Sequence, residues 1–183
     1  MTREDLGRLL ALKLDLSVIG LEQAELTSYF CTPVGAEPVG WIGCDGIHFI
    51  LLPGDERVYC VDPAMGEEGT YVLPVAEDLR QFLSFVLYCR DASPISQIWW
   101  LGEDRFRRLL TEDAEARWEG WEEFQAQKEK TLETIADAFS LKAEDPYGPV
   151  KAMQANFDSS SLQFSDAYYD VLGIEPPGDR GDC

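Results

Sequence analysis

The run WIGCDGIHFILLPGDERVYCVDPAMGEEGTYVLPVAEDLRQFLSFVLYCR, residues 41–90, decides the fold. Ile47–Leu52 (IHFILL), Arg57–Val61 (RVYCV) and Thr70–Val75 are β-rich runs of strand length, and Trp41–Ile42 can start another. Asp45-Gly46, Pro53-Gly54-Asp55, Asp62-Pro63 and the Gly- and Glu-bearing loop Ala64–Gly69 punctuate them with turn chemistry. Four short runs so spaced predict an antiparallel meander. The period then changes. Leu79, Phe82, Leu83, Val86 and Leu87 fall at i, i+3, i+4, i+7 and i+8, the spacing of one apolar helical face.

Upstream, Thr2 with Asp5 three residues on predicts a near capping box opening a helix, with Leu6, Leu9, Leu10 and Leu14 as its stripe. Gly20 breaks the pattern, and Leu21, Leu26 and Phe30 suit a second short helix or an irregular segment. Cys31–Gly40 (CTPVGAEPVG), with two prolines and two glycines among ten residues, must be a loop or a sheet edge. Downstream, Ser93-Pro94 predicts an N-cap with Pro at N1 and a short helix through Trp99. Phe106, Leu109 and Leu110 mark a further turn or two. Glu112–Leu141 reads as one long amphipathic helix carrying Trp118, Trp121, Leu132, Ile135 and Phe139, with Gln125 and Lys128 at a polar midpoint. Val150–Phe157 predicts another helix, Ser161–Phe164 a strand and Asp166–Leu172 a last short helix. Glu175–Cys183 is expected to be disordered. The organisation expected is a core over residues 1–110, a helical extension over 111–174 packed on the same domain, and a tail over 175–183.

Acidic residues outnumber basic ones 34 to 15, a formal net charge of −19. That balance argues against nucleic acid and against an anionic membrane surface, both of which need a basic footprint. It is compatible with a basic protein partner, and with plain solubility. Between Ile19 and Leu79 the only Lys or Arg is Arg57, so the strand region is the negative pole of the chain. Five cysteines form no CxxC pair, the amino-terminal segment MTREDLGRLL has no apolar core of a leader, and no run approaches a membrane span. Free thiols in a cytoplasmic protein are the expectation.

Catalytic and metal chemistry find little support. His48 is the only histidine, in an apolar run between Ile47 and Phe49, and reads as a half-buried strand residue with a local hydrogen bond. A metal pair of Cys44 and His48 lacks further ligands at known spacing, so neither a metal site nor a cofactor is expected. A thiol- or carboxylate-dependent enzyme of unknown substrate, the thiol version being a Cys–His dyad of Cys31, Cys44 or Cys60 with His48, remains the enzymatic alternative. The glycines do not make a phosphate-binding loop. Trp118 and Trp121, if exposed, would mark an interface, and a dimerising scaffold is a third alternative.

The matches Trp41-Ile42-Gly43, then Val58–Pro63 (VYCVDP), then Val75–Leu83 (VAEDLRQFL) resemble the SUKH superfamily, over about fifty of 183 residues. In that family a Trp/Gly-bearing strand leads into a meander, one strand ends near an Asp-Pro turn, and a later strand enters a helix of this pattern. The chain departs from it before the first strand, where LTSYFCTPVG only faintly matches the family's element, and in the long helical segment after Leu101. The resemblance implies an α+β fold, with a mostly antiparallel twisted sheet of about four to six strands and helices packed against it. It also implies a non-enzymatic binding protein, many bacterial members being immunity proteins that neutralise a nuclease or other toxin. The acidic turns then become the expected contact surface: Asp45, Asp55, Glu56, Glu67 and Glu68.

Overall fold

The computed structural model describes residues 2–24, 29–115 and 117–177. Four strands, β1 (Glu37–Trp41), β2 (His48–Leu51), β3 (Val58–Val61) and β4 (Val72–Ala76), form one sheet in the order β1-β2-β3-β4 with every pair antiparallel. The fold is α+β, and the meander is the expected one. Trp41 ends its strand rather than starting it, because the extended segment includes Pro38 and Val39 from the stretch that could be loop or edge.

Every residue of β2 and β3 is buried. A sheet solvated on one face alternates apolar and polar, whereas a run such as HFILL needs cover on both faces. On one face Phe49, Leu51, Val58, Cys60 and Val75 join the main core. Its other side is built by α1 (Thr2–Ala11), α2 (Leu79–Cys89) and α5 (Trp121–Phe139), through Leu6, Leu9, Phe82, Phe85, Ile135 and Phe139. The opposite face carries Ile50, Leu52, Tyr59, Val61 and Val72, and these meet a second cluster centred on Tyr168. That cap is mostly the C-terminal segment, Phe157, Leu162 and Phe164, then Tyr169 and Leu172 of the short helix α7 (Asp166–Leu172), joined by Tyr29, Phe30 and Cys31 from ahead of β1. The protein is therefore three layers, helices, sheet and cap.

The helix α2 behaves as its period predicts, with two additions. Asp78 caps it, Oδ1 accepting from Gln81 N at 2.8 Å, while Gln81 Oε1 accepts from Glu77 N at 2.9 Å. Phe85 and Cys89 are also buried, because the sheet covers one side of the helix and α1 and α5 cover others. At the amino terminus the capping box does not form. Thr2 N donates to Glu56 Oε2 at 2.6 Å and Thr2 Oγ1 to Glu56 O at 2.9 Å, which staples α1 to the β2–β3 turn. Leu6 and Leu9 are buried, but Leu10 points outward. The segment after α1 is a short 3₁₀ turn, Leu16–Ile19, stopped by Gly20 at φ 69°. Leu26 lies outside the described residues.

Helical expectations beyond residue 90 need three corrections. Ser93 is the first residue of α3 (Ser93–Ser96), not its cap: Asp91 Oδ1 takes the Ser93 N–H at 2.9 Å, and the helix ends well before Trp99. The long helix over Glu112–Leu141 is two, α4 (Glu103–Glu115) and α5, because Gly120 adopts φ 82° immediately before α5. Trp118 consequently sits in the connection and not on the helical stripe. After α6 (Tyr147–Ala155), Ser161–Phe164 is no strand. A 3₁₀ turn over Ser159–Ser161 leads into extended chain that meets the rest through Val34 N donating to Gln163 O at 2.8 Å. From residue 178 the expected tail lies outside the described residues.

Both edges of the sheet are occupied. Glu22 exchanges two backbone hydrogen bonds with Trp41 on the outer side of β1, at 2.8 and 2.9 Å. Pro38 in β1 and Pro74 in β4 lack N–H donors, and Gln154 Nε2 of α6 donates to Pro74 O at 3.3 Å. Among the described residues no helix is long and apolar enough to cross a membrane.

Candidate functional site

In an antiparallel meander successive turns alternate between the two ends of the sheet. Trp41, His48, Val61 and Val72 pair at one end, and Glu37, Leu51, Val58 and Ala76 at the other. The β1–β2 turn with Asp45 and the β3–β4 loop with Glu67 and Glu68 therefore share the first end. Asp55 and Glu56, in the β2–β3 turn, lie at the opposite end. Four residues of strand separate the two groups by about 10 Å. The five acids do not form one surface.

Their bonding divides them in the same way. Asp55 accepts from Arg57 Nη2 at 2.6 Å, from Arg57 N at 2.9 Å and from Tyr59 Oη at 2.7 Å. Burial pushes its carboxyl up, but the hydrogen bonds from Arg57 and Tyr59 outweigh this and hold the pKa at about 2. Arg57 also lies over the Tyr59 and Phe157 rings, at 5.3 and 5.7 Å from their centroids. Asp55 is thus a structural anchor between the sheet and the cap. Glu56 is engaged by Thr2, whose backbone N–H holds its carboxyl below the ordinary value.

At the other end, Asp45, Glu67 and Glu68 are exposed, and their carboxylates make no ion pair or hydrogen bond among the described residues. Glu22, brought alongside by its bridge to Trp41, belongs with them: a Cβ on Gly43 would lie 3.3 Å from Glu22 Oε2. The local backbone fixes this display. Asp45 and Gly46 have φ of 52° and 71° in a type I′ turn closed by Ile47 N donating to Cys44 O at 3.2 Å. The second loop is braced from inside. Asp62, buried, accepts from Ala64 N and Met65 N at 3.1 and 2.9 Å, and Thr70 Oγ1 takes the Glu67 N–H at 2.8 Å. Gly66 is required there, since a Cβ would lie 2.3 Å from the Tyr71 ring.

His48 is not half-buried but fully enclosed, its ring tilted against that of Trp41 at 4.2 Å and stacked 5.9 Å from that of Tyr29. Its Nδ1 lies 2.7 Å from Gly46 O, a bond that requires the proton on Nδ1 and makes Nε2 the acceptor. Nε2 and the neighbouring Trp41 Nε1 are buried without a partner. Burial lowers the His48 pKa against the Gly46 carbonyl, which raises it. Cys31, Cys60 and Cys89 are buried free thiols, and desolvation pushes Cys31 up to about 12. Cys44 is exposed. Among the described residues no three His, Cys, Asp or Glu side chains are placed to hold a metal ion.

Trp118 is 53% exposed and packs edge-on against Trp121, with centroids 4.5 Å apart. Together with Phe124, Leu110 and Cys89 the pair lines an open cavity of about 430 Å³. A larger cavity, about 520 Å³, lies beside Glu68, between the β3–β4 loop and the cap. Tyr71, Phe164 and Tyr169 supply aromatic walls, and Glu68, Asp158 and Glu175 stand around it. Sequence reasoning did not find this cavity. Its signal was the apolar content of Phe157–Ile174, read beside the two-sided burial that HFILL demands. Comparison with family models, with curated proteins and with solved structures yields no match to this chain.

Proposed function

We propose that this chain is a non-enzymatic protein-binding module that meets a basic partner with the end of the sheet carrying Glu22, Asp45, Glu67 and Glu68. The observation that carries the reading is the bonding contrast among the acids. Asp55, Glu56, Asp91 and Asp145 each hold a cation or a backbone donor, whereas those four carboxylates stand exposed without a hydrogen bond or ion pair among the described residues. Like charges held together on rigid turns repel one another, and a cationic surface docking there relieves the repulsion. The formal charge of −19 extends the attraction to long range and accelerates encounter. The resemblance to the SUKH superfamily supports a further step, in which the partner is a basic, nuclease-type toxin and this chain an immunity protein that occludes it.

The test is kinetic. A partner identified by affinity capture is expected to be basic, and the triple variant Asp45→Asn/Glu67→Gln/Glu68→Gln to slow association about tenfold at low salt and flatten its salt dependence. Glu56→Gln, at the far end, leaves the association rate unchanged. Association that is independent of salt and of the triple variant rejects the reading. A second reading, self-association through Trp118, rests on the exposure of that ring. Light scattering that returns a monomer at high concentration removes it.

A further inference from the structure

We infer that the cavity between the β3–β4 loop and the C-terminal cap receives an arginine side chain of the basic partner. This rests on the binding reading above and names the group the partner inserts. The walls are flat and fixed. Phe164 and Tyr168 stack at 3.9 Å with planes 9° apart, and Tyr168 is itself held edge-on by Tyr71 and Tyr169, at 6.3 and 5.3 Å. The cavity's volume, about 520 Å³, exceeds that of one guanidinium and admits the side chain with its stem. Glu68 and Glu175 are exposed without an ion pair among the described residues, and Asp158 spends one oxygen on Ser160 N at 2.9 Å.

Three carboxylates exclude an anion, and a purely apolar occupant would strip water from them without return. A cation over aromatic rings with carboxylates at its flank satisfies both halves of the lining. Between the two protein cations, arginine fits better. Its guanidinium is planar, weakly hydrated and able to stack while its edge bonds a carboxylate, whereas a lysine ammonium is a compact, strongly hydrated charge. The chain uses the same pairing internally, with Arg57 over Tyr59 and Phe157 while bonded to Asp55. The cavity repeats the ring-and-carboxylate half of that arrangement without the arginine.

The experiment titrates the full chain with octa-arginine, octa-lysine and octa-citrulline peptides, followed by NMR of the aromatic rings. Octa-arginine is expected to shift the Tyr71, Phe164 and Tyr169 ring signals and to bind at least fivefold more tightly than octa-lysine, with octa-citrulline inert. Glu68→Gln, on an exposed loop, and Tyr169→Ala are expected to abolish the preference for arginine. Asp45→Asn and Glu67→Gln weaken both cationic peptides equally and leave the preference intact. Equal binding of the two peptides with unmoved ring signals overturns the cavity assignment. If that binding still weakens in Asp45→Asn and Glu67→Gln, the acidic-end reading survives it. Binding insensitive to every variant overturns both. An Arg180→Ala variant that binds octa-arginine more than threefold more tightly identifies the chain's own arginine as the occupant and overturns assignment to a partner.

Discussion

Replacing Tyr168 by alanine tests whether the C-terminal segment is a true third layer. Tyr168 is 6% exposed, stacks on Phe164 at 3.9 Å, lies edge-on to Tyr71 and Tyr169, and joins Ile50, Tyr59, Val61 and Val72 of the sheet. Burying an aromatic side chain of about 150–250 Å² is worth about 4–6 kcal/mol at 25 cal/mol per Å² against an extended chain. Partial collapse of the cap and residual burial in the unfolded ensemble reduce this, so about 3–4 kcal/mol is expected, within the usual range for aromatic-to-alanine changes in a core. For a chain of this size that lowers the melting temperature by about 6–16 °C. Urea unfolding followed by fluorescence and circular dichroism measures it. Tyr168→Phe keeps the stacked rings and is expected to cost about 1 kcal/mol or less. A loss below about 1 kcal/mol for the alanine variant, with no gain in protease sensitivity after residue 156, would mean that the cap contributes little to the fold and the three-layer description fails.

Asp55→Asn removes the charged acceptor of Arg57 and Tyr59 and is expected to destabilise by about 1–3 kcal/mol, read by urea unfolding at neutral pH. Because the folded pKa, about 2, lies below the ordinary value of 3.8, the wild-type contribution is present above pH 4 and is lost as pH falls through 4 towards 2; the variant should lack that part of the acid limb. His48 has the opposite chemistry and the same direction. Burial lowers its folded pKa, so the unfolded chain binds the proton first and stability declines as pH drops below about 6.5. An NMR titration showing the imidazole charging at an ordinary pKa in the folded protein rejects the enclosed, Nδ1-protonated description. Gly66→Ala should destabilise by about 2 kcal/mol or more, since its Cβ would meet both the Tyr71 ring and Asp62 O; a neutral result would mean the β3–β4 loop is not rigid. Trp118→Ala, by contrast, removes a ring that is about half buried against Trp121 and Phe124 and should cost about 1–2 kcal/mol, less than Tyr168→Ala, measured by the same unfolding curves.

The strands and α2 were legible because their signals are local. Each apolar run is bounded by turn residues, and the helical period begins immediately after Asp78. The break between α4 and α5 was not, since Glu- and Ala-rich helix formers run up to the non-helical residues 117–120 and resume after them, and Gly120, at φ 82°, is the one residue there with a turn signal. The capping of α1 was misread for a different reason. Thr2 finds its partner 54 residues away, in Glu56, and long-range pairing leaves no periodic trace. The candidate site was legible in part. Counting charges along the chain located the acidic turns, but a count has no up or down. Register and strand direction send Asp55 and Glu56 to one end and Asp45, Glu67 and Glu68 to the other. The cap was the largest omission. Its rings follow neither period, and their role emerges only from asking what covers Ile50 and Tyr59.

The occupied edges of the sheet constrain how any partner can be recognised. An open edge strand recruits other chains through its backbone, with little regard for sequence, and is also the usual route to aggregation. Here Glu22 and Pro38 on β1, and Pro74 with Gln154 on β4, leave no continuous ladder to extend. A partner must therefore be read by side chains rather than by backbone pairing, and at the proposed acidic end a single charge reversal would then change the outcome. Such a surface can diverge between paralogues one residue at a time without disturbing the strands beneath it.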